Sequence, residues 1–169
     1  MASSTSASDA PELPAPEALK THRLPAWFRV LRPRQWTKNL AVFAPLVFAR
    51  HVFEPEAATR ELLAFVAFCL LSSGTYVFND WIDREEDRKH PEKALRPIAS
   101  HELRARTVLL LIIICWAAGL DLGSVLGWRF ATLGGSYLVL QIAYAFVLKH
   151  MVVLDVLSIA AGFVLRVLA

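Results

Sequence analysis

The sequence predicts an all-α fold, a multi-pass bundle of transmembrane helices, on three observations. Hydrophobic residues make up 56% of the 169 residues, more than in an ordinary soluble domain. They are gathered in long blocks, and the blocks 62–78 and 130–148 contain no charged residue. The basic residues are also distributed unevenly between the segments that connect the blocks. Together these features exclude a disordered chain and favour a membrane protein.

The chain divides into a tail and a membrane domain. Residues 1–24 are rich in Ser, Ala and Pro and lack apolar periodicity, so we predict a disordered N-terminal tail there. Residues 25–169 form the predicted transmembrane domain. Its five apolar blocks are 39–49 (36–53 with its flanks), 62–78, 107–128, 130–148 and 151–165. The first is the weakest helix prediction because it contains Pro45.

The basic residues predict the orientation of the helices. Six Lys and Arg residues precede the first block, two lie in 50–61, seven lie in 79–106, and Arg129 alone lies in the next connection. Cytoplasmic segments carry the excess of positive charge. The N-terminus and the 79–106 loop are therefore predicted to be cytoplasmic. The excess of basic over acidic residues is therefore explained by membrane topology. For this reason we predict no nucleic-acid partner.

An acidic motif follows the second block. On a helix, Asp80, Asp83 and Asp87 fall within an arc of about 60°, with Asn79 beside them. Like charges on one face repel, and a helix C-terminus is the unfavourable end for them. We expect a cation to compensate, and an all-oxygen ligand set suits Mg²⁺ or Ca²⁺. The alternative is a solvated helix end whose acids pair with neighbouring basic residues.

The loop after the motif supplies cations. Lys93 and Arg96 lie in residues 88–100, where Pro97 stiffens the chain. Carboxylate-bound Mg²⁺ on one side and these cations on the other would clamp a polyphosphate. The sequence therefore predicts a site for a leaving pyrophosphate at this end of the second helix.

Four further ionisable residues lie in or at the edges of the apolar blocks. Asp155 and Arg166 are eleven residues apart and share a helix face, where they could line a polar cavity or pair with partners from elsewhere. Asp121 and Lys149 lie near predicted helix ends and are interpreted as interfacial side chains. A stripe of Gly119, Gly123 and Gly127 indicates either a close helix contact or a flexible helix end.

These residues resemble a known family. Asn79-Asp80-Trp-Ile-Asp83-Arg-Glu-Glu-Asp87, followed by Arg96-Pro97-Ile98, resembles the first aspartate-rich motif of the UbiA superfamily of intramembrane prenyltransferases. The segment RPRQWTKN at 32–39 resembles one branch, the decaprenyl-phosphate phosphoribosyltransferases of mycobacterial and related cell-wall synthesis. The segment 148–166 resembles the same branch. The resemblance covers residues 25–169.

The resemblance implies a helical bundle around a cavity, with a Mg²⁺-bound diphosphate near the cytoplasmic face of the plasma membrane. The implied donor is 5-phosphoribosyl diphosphate and the acceptor a polyprenyl (decaprenyl) phosphate, for cell-wall arabinan precursors. Asp80, Asp83 and Asp87 would be the catalytic and metal-binding residues. The residues implied to bind substrate are Lys38, Asn39, Asn79, Lys93, Arg96 and Arg166.

The resemblance also bears on the length of the chain and on rival functions. Members of the superfamily are about twice this length, with nine helices and a second acidic motif, so we expect about five of those helices in a chain truncated at its C-terminus. A prenyltransferase that moves a prenyl group from its diphosphate to an aromatic acceptor would use the same acidic face. Two further hypotheses are an inactive fragment and an ion-transporting protein with Asp121, Asp155 and Arg166 along its path. The lipid length and the oligomeric state stay open.

Overall fold

Seven α-helices and three 3₁₀ segments form the part of the chain that the structure, a computed structural model, describes: residues 24–48 and 54–169. The α-helices are α1 Ala26–Val30, α2 Ala44–Phe48, α3 Pro55–Ile82, α4 Arg84–Asp87, α5 Ala105–Leu126, α6 Trp128–Phe146 and α7 Val152–Leu168. The 3₁₀ segments are Pro33–Phe43, Lys93–Leu95 and Leu148–His150. The predicted tail lies outside the described residues except for Leu24, as do residues 49–53 of the first predicted block.

The last four apolar blocks form helices α3, α5, α6 and α7. The first block does not form the single α-helix that the sequence suggested. Its described part is a 3₁₀ helix over Pro33–Phe43, followed by the short helix α2. Pro45 explains the difference, because proline is tolerated in the first turn of an α-helix but interrupts a longer one. An eleven-residue 3₁₀ helix is unusually long.

Among the described helices, α3 and α5 are long and apolar enough to cross a membrane. Helix α3 has 28 residues and a mean hydropathy of 1.7, and α5 has 22 residues and a mean hydropathy of 2.3. Large apolar side chains on α5 and α7 face outward, among them Leu109, Ile113 and Val156. An outer surface of this kind suits contact with lipid or with other apolar helices.

Helix α3 lies at the centre, packed against α5, α6 and the segment Pro33–Phe43. Phe68 and Leu71 are fully buried on it, and the Phe68 ring lies 5.6 Å from that of Tyr137. Gly119 of α5 allows a close approach, because a Cβ there would lie 2.8 Å from the Leu71 side chain. Gly127 ends α5 at a φ of 121°. The close helix contact predicted for the glycine stripe is confirmed at Gly119, and the helix ends at the last glycine of the stripe, Gly127.

A second apolar cluster fixes the end of the bundle where α3 terminates. It contains Val30 of α1, Val77 of α3, Ile98 of the following loop, and Val108 and Ile112 of α5. Ile98 is only 3% exposed, so the loop is held against the helices and does not extend freely from them. The two segments that flank this cluster carry Arg32 and Arg96. Burial of their neighbours positions both arginines beside the end of α3.

Candidate functional site

The acidic motif crosses a break between two helices. Asp80 lies on α3, which ends at Ile82, and Asp87 ends α4. Asp83 lies between them with φ −86° and ψ 0°. The prediction of three carboxylates along one continuous helix was therefore wrong. A helix end that carries a run of acids is unfavourable, and a break in the helix relieves part of that repulsion.

Two of the carboxylates share one arginine. Asp80 and Asp87 are only 5% and 3% exposed. Arg96 Nη1 donates to Asp87 Oδ2 at 2.7 Å and to Asp80 Oδ1 at 3.2 Å. Arg32 Nη2 donates to the same Asp80 oxygen at 2.5 Å. A cationic group thus already occupies the space between the two buried carboxylates.

Arg32 reaches Asp80 from an unusual backbone conformation. Its φ of 53° and ψ of 59° are left-handed, and Pro33 follows it at the start of the 3₁₀ helix. A non-glycine residue with positive φ is uncommon, and such strain persists where surrounding contacts hold it. Here the guanidinium also lies 5.3 Å from the centre of the Tyr76 ring. The strained residue directs its charge into the acidic motif.

Asp83 has a separate cation. Lys149 Nζ donates to Asp83 Oδ1, although the two residues are 66 positions apart. Lys149 lies at a helix end as predicted, in the turn between α6 and α7, and the structure adds a partner that its interpretation as an interfacial side chain did not include. Nearby, Tyr144 Oη donates to Asp155 Oδ1 at 2.9 Å. Tyr144 also lies within electrostatic range of Asp83.

The remaining residues predicted for this end of the bundle have different environments. Lys38 and Lys93 are exposed. Asn79 is partly buried, and its Oδ1 atom is fully buried without a hydrogen-bond partner among the described residues. An unsatisfied buried oxygen is uncommon and needs an explanation. It lies on the residue next to Asp80, where a further ligand would satisfy it.

The oxygen donors suit a hard cation, but they do not form a complete cage. Within residues 24–48 and 54–169, no group of three or more His, Cys, Asp or Glu side chains is arranged to hold a metal ion. The predicted three-carboxylate metal set is not assembled, because Asp83 pairs with Lys149 apart from the other two. Asp80 and Asp87 do converge on one cation. Mg²⁺ commonly takes one or two carboxylates together with water and substrate phosphates, so this pair fits it.

Asn39 and Arg166 belong to a second polar set, deeper in the bundle. Arg166 Nε donates to Asn39 Oδ1 at 2.8 Å, and Arg166 Nη2 donates to Tyr137 Oη at 3.1 Å. Asn39 Nδ2 donates to Ser72 Oγ at 3.0 Å. Ser72 and Asp80 lie eight residues apart on α3, a rise of about 12 Å. The structure brings Asn39 and Arg166 together, but not with the acidic motif.

The three residues considered for an ion path, Asp121, Asp155 and Arg166, lie in different surroundings and share no partner in the described part of the chain. Asp121 is exposed on α5, Asp155 bonds Tyr144, and Arg166 bonds Asn39 and Tyr137. The shared helix face of Asp155 and Arg166 is therefore not a shared site. Each finds its partners elsewhere, which is one of the two outcomes that the sequence allowed.

Sequence reasoning missed two residues of the site. Arg32 was counted with the basic residues that set topology, and Lys149 was assigned to the membrane interface. A signal existed for each: Arg32 begins the segment that resembles the phosphoribosyltransferase branch, and Lys149 is a charge between two apolar blocks. Neither signal indicates which carboxylate the basic residue pairs with, because the paired residues are 48 and 66 positions apart in the sequence.

Comparison with known proteins identifies the family. The model of the UbiA prenyltransferase family matches residues 40–169. Decaprenyl-phosphate phosphoribosyltransferase of Corynebacterium glutamicum is 38% identical over 145 residues, covering 83% of this chain and 44% of that protein. Nodulation protein NoeC of Azorhizobium caulinodans is 34% identical over 138 residues, covering 82% of this chain and 45% of that protein. Polyprenyl transferase pyr6 of Aspergillus fumigatus is 33% identical over 86 residues, covering 51% of this chain and 27% of that protein.

This chain spans less than half the length of each of these relatives. The family match nevertheless covers most of the chain, and it includes the acidic motif and two of the cations that pair with it, Arg96 and Lys149. With residues 40–169 matched and two helices of membrane-spanning length, the chain belongs to the UbiA prenyltransferase family, a family of membrane-embedded proteins.

Proposed function

We propose that this chain carries the donor site of a membrane transferase that moves a 5-phosphoribosyl group from 5-phosphoribosyl diphosphate to a polyprenyl phosphate such as decaprenyl phosphate. The observation that carries the proposal is the pairing of each motif carboxylate with a cation from another segment: Arg32, Arg96 or Lys149. The names of the phosphoribosyltransferase relatives support the choice of substrates. The pathway that we propose for this transfer is cell-wall arabinan precursor synthesis.

Mg²⁺ would be held by Asp80 and Asp87, with Asp83 and the unpaired Asn79 Oδ1 at the edge of the same site. When bound, it would neutralise charge that develops on the leaving diphosphate. Arg96 now lies between the two carboxylates and is about one-third exposed. Arg96 can turn toward an incoming phosphate once another cation balances the two buried carboxylates.

The basic residues would then change partners. Arg32, Arg96 and Lys149 are each 20–31% exposed, so their ion pairs lie within reach of solvent and of a ligand. We assign them, with the exposed Lys38 and Lys93, to the phosphates of the donor. Guanidinium groups suit this role because they bind phosphate with two parallel hydrogen bonds.

The transfer needs little acid or base from the protein. An oxygen of the acceptor phosphate attacks the anomeric carbon of the donor while the bond from that carbon to the diphosphate oxygen breaks. The products are 5-phosphoribosyl polyprenyl phosphate and pyrophosphate. The acceptor is already an anion, so the residues of this chain serve to orient the donor and to balance the charge of the leaving group.

The proposed setting is the plasma membrane, with the acidic motif on the cytoplasmic side. Helices α3 and α5 have membrane-spanning length, and the basic residues around the motif follow the positive-inside rule. A multi-pass bundle that includes α6 and α7 is part of the same proposal. It places the water-soluble donor and the lipid phosphate at one membrane surface.

Asn39 and Arg166 remain predicted donor contacts. Their bonds to each other, to Ser72 and to Tyr137 support a different role: they hold the segment Pro33–Phe43 against α3 and α7. That segment begins next to Arg32. The two residues would then act on the donor site through the position of Arg32.

A prenyl diphosphate donor is the second candidate. The match to a fungal polyprenyl transferase favours it, although that match covers only half of the chain. A diphosphate group is common to both donors, so the acidic motif alone does not choose between them. The choice of donor is tested directly by supplying each one.

The test is a Mg²⁺-dependent transfer assay on membranes that contain this chain alone. Labelled 5-phosphoribosyl diphosphate and a polyprenyl phosphate are supplied, and label in the lipid phase is counted. We expect label with the unaltered chain, none with Asp83→Asn, and full labelling with Asp121→Asn, a matched change at an exposed aspartate of α5. Label from a prenyl diphosphate but not from the sugar donor would favour the second candidate. No transfer from either donor would contradict activity of this chain by itself.

A further inference from the structure

The contact between α6 and α7 contains a carboxylate that the proposed chemistry does not use. Asp155 is partly buried in the first turn of α7 and accepts a hydrogen bond from Tyr144 Oη at 2.9 Å. Among the described residues it forms no ion pair. An ionised group in an apolar helix of a membrane protein is unfavourable, and such residues often mark a binding site.

The turn between α6 and α7 connects Asp155 to the acidic motif. Lys149 in that turn pairs with Asp83, and the Tyr144–Asp155 bond joins the two helices on either side of the turn. The motif therefore has two sides. Asp80 and Asp87 share Arg96 on one side, and Asp83 pairs with the turn that lies between Tyr144 and Asp155 on the other.

The chemistry of Asp155 differs from that of the other side. A carboxylate without a cation repels phosphate, but it is a strong acceptor for hydroxyl groups. Tyr144 occupies one of its oxygens, and the second oxygen has no partner among the described residues. A sugar whose diphosphate lies at the motif would present its hydroxyl groups nearby. A prenyl chain has no hydroxyl group to offer and would leave the carboxylate unpaired.

We propose that Asp155, oriented by Tyr144, binds the ribose hydroxyl groups of the donor and thereby selects a ribosyl diphosphate over a prenyl diphosphate. This inference rests on the proposed function. A site built to hydrogen-bond a hydroxyl group discriminates strongly against a ligand that lacks it, because the polar group of the site is then left unpaired.

A purely structural role is the rival explanation, since the Tyr144–Asp155 bond also ties α6 to α7 and places a negative charge at a helix N-terminus. The two explanations differ in what they predict for ligands without a sugar. Loss of a structural tie would weaken every ligand of the site. Loss of a hydroxyl contact would weaken only the ligand that carries hydroxyl groups.

The experiment measures the affinity of the full chain, in detergent with Mg²⁺, for two probes: 5-phosphoribosyl diphosphate and inorganic pyrophosphate. We expect Asp155→Asn to weaken the sugar donor about tenfold or more and to leave pyrophosphate within about twofold. Tyr144→Phe should show a smaller loss of the same kind. Asp121→Asn is the matched control and should change neither affinity.

Three outcomes would overturn the inference. An equal loss for both probes in Asp155→Asn would assign the residue a structural role. A sugar preference that survives in both Asp155→Asn and Tyr144→Phe would exclude the hydroxyl contact while the proposed function stands. If the unaltered chain binds pyrophosphate but shows no preference for the sugar donor, both the inference and the ribosyl donor are wrong.

Discussion

Two polar regions of this bundle have opposite designs. At the end of α3, carboxylates meet cations, and each of the cations Arg32, Arg96 and Lys149 keeps 20–31% of its side-chain surface exposed. In the interior, Arg166 is 5% exposed and Asn39 is fully buried, and the hydrogen-bond partners of Arg166 are neutral oxygens. We call the first the reachable region, because solvent and ligands have access to the cations Arg32, Arg96 and Lys149. We call the second the closed region, because Asn39 and Arg166 are buried and held by hydrogen bonds.

This difference in exposure indicates that the two regions have different roles, one in ligand binding and the other in the stability of the fold. The pair of Lys149 and Asp83 is partly exposed on both sides and contributes little to folding, because both ions are hydrated when they part. Asp80 and Asp87 are buried, so Arg32 and Arg96 can leave them at small cost only when another cation takes their place. A buried guanidinium has no such alternative, and each lost partner leaves a desolvated charge. We therefore expect changes in the reachable region to alter ligand affinity and changes in the closed region to alter folding.

The largest effect is expected in the closed region. Asn39→Leu removes the acceptor of Arg166 Nε and leaves that buried cation short of a partner. We expect the free energy of unfolding to fall by about 3 kcal/mol. Thermal or denaturant unfolding in detergent measures it, and Lys38→Leu at the exposed neighbouring position should have little effect. Unchanged stability with a loss of donor affinity would instead support a direct contact between Asn39 and the donor.

An intermediate effect, with opposite signs for two ligands, is expected at Arg96. Arg96→Met leaves Asp80 and Asp87 without their shared cation, so their attraction for Mg²⁺ alone should rise at least about threefold. The affinity for Mg²⁺-pyrophosphate should fall about tenfold, because a phosphate contact is lost. Calorimetric titrations with each ligand test this pair of results. Arg104→Met is the control, because Arg104 is an exposed residue directly before α5. Parallel changes for both ligands would argue against an exchange of partners.

The smallest effect is expected at Lys149. It pairs with Asp83, and both side chains are partly exposed, at 20% and 29%. Lys149→Met should therefore lower the free energy of unfolding by less than about 1 kcal/mol. Pyrophosphate binding should weaken more clearly than stability. A loss of stability as large as that of Asn39→Leu would show that this pair belongs with the closed region.

The sequence was sufficient to predict the features that depend on residues close together along the chain. The apolar blocks predicted α3, α5, α6 and α7, and the spacing of Asp80, Asp83 and Asp87 identified the acidic motif. The resemblance of this motif to the UbiA superfamily predicted the family that the comparison confirms. The break at Asp83 was not predictable from an average helical period, since repulsion between neighbouring acids ends a helix only when other contacts hold the break.

Contacts between distant segments could not be predicted. Arg32 and Asp80 are 48 residues apart, and Asn39 and Arg166 are 127 residues apart. Periodicity gives the face of a helix on which a residue lies, but not the helix that this face meets. A charge near a helix end also has the same sequence pattern whether or not it pairs with an acid, which is why the bond from Lys149 to Asp83 was not predicted.

The central claim is that the motif exchanges its protein cations for a metal-bound diphosphate. The most direct measurement is the binding of inorganic pyrophosphate to the full chain, with and without Mg²⁺, for the unaltered protein, Asp80→Asn and Asp121→Asn. We expect binding that requires Mg²⁺, is lost in Asp80→Asn and is kept in Asp121→Asn. Binding that needs no Mg²⁺, or that survives Asp80→Asn unchanged, would contradict the claim.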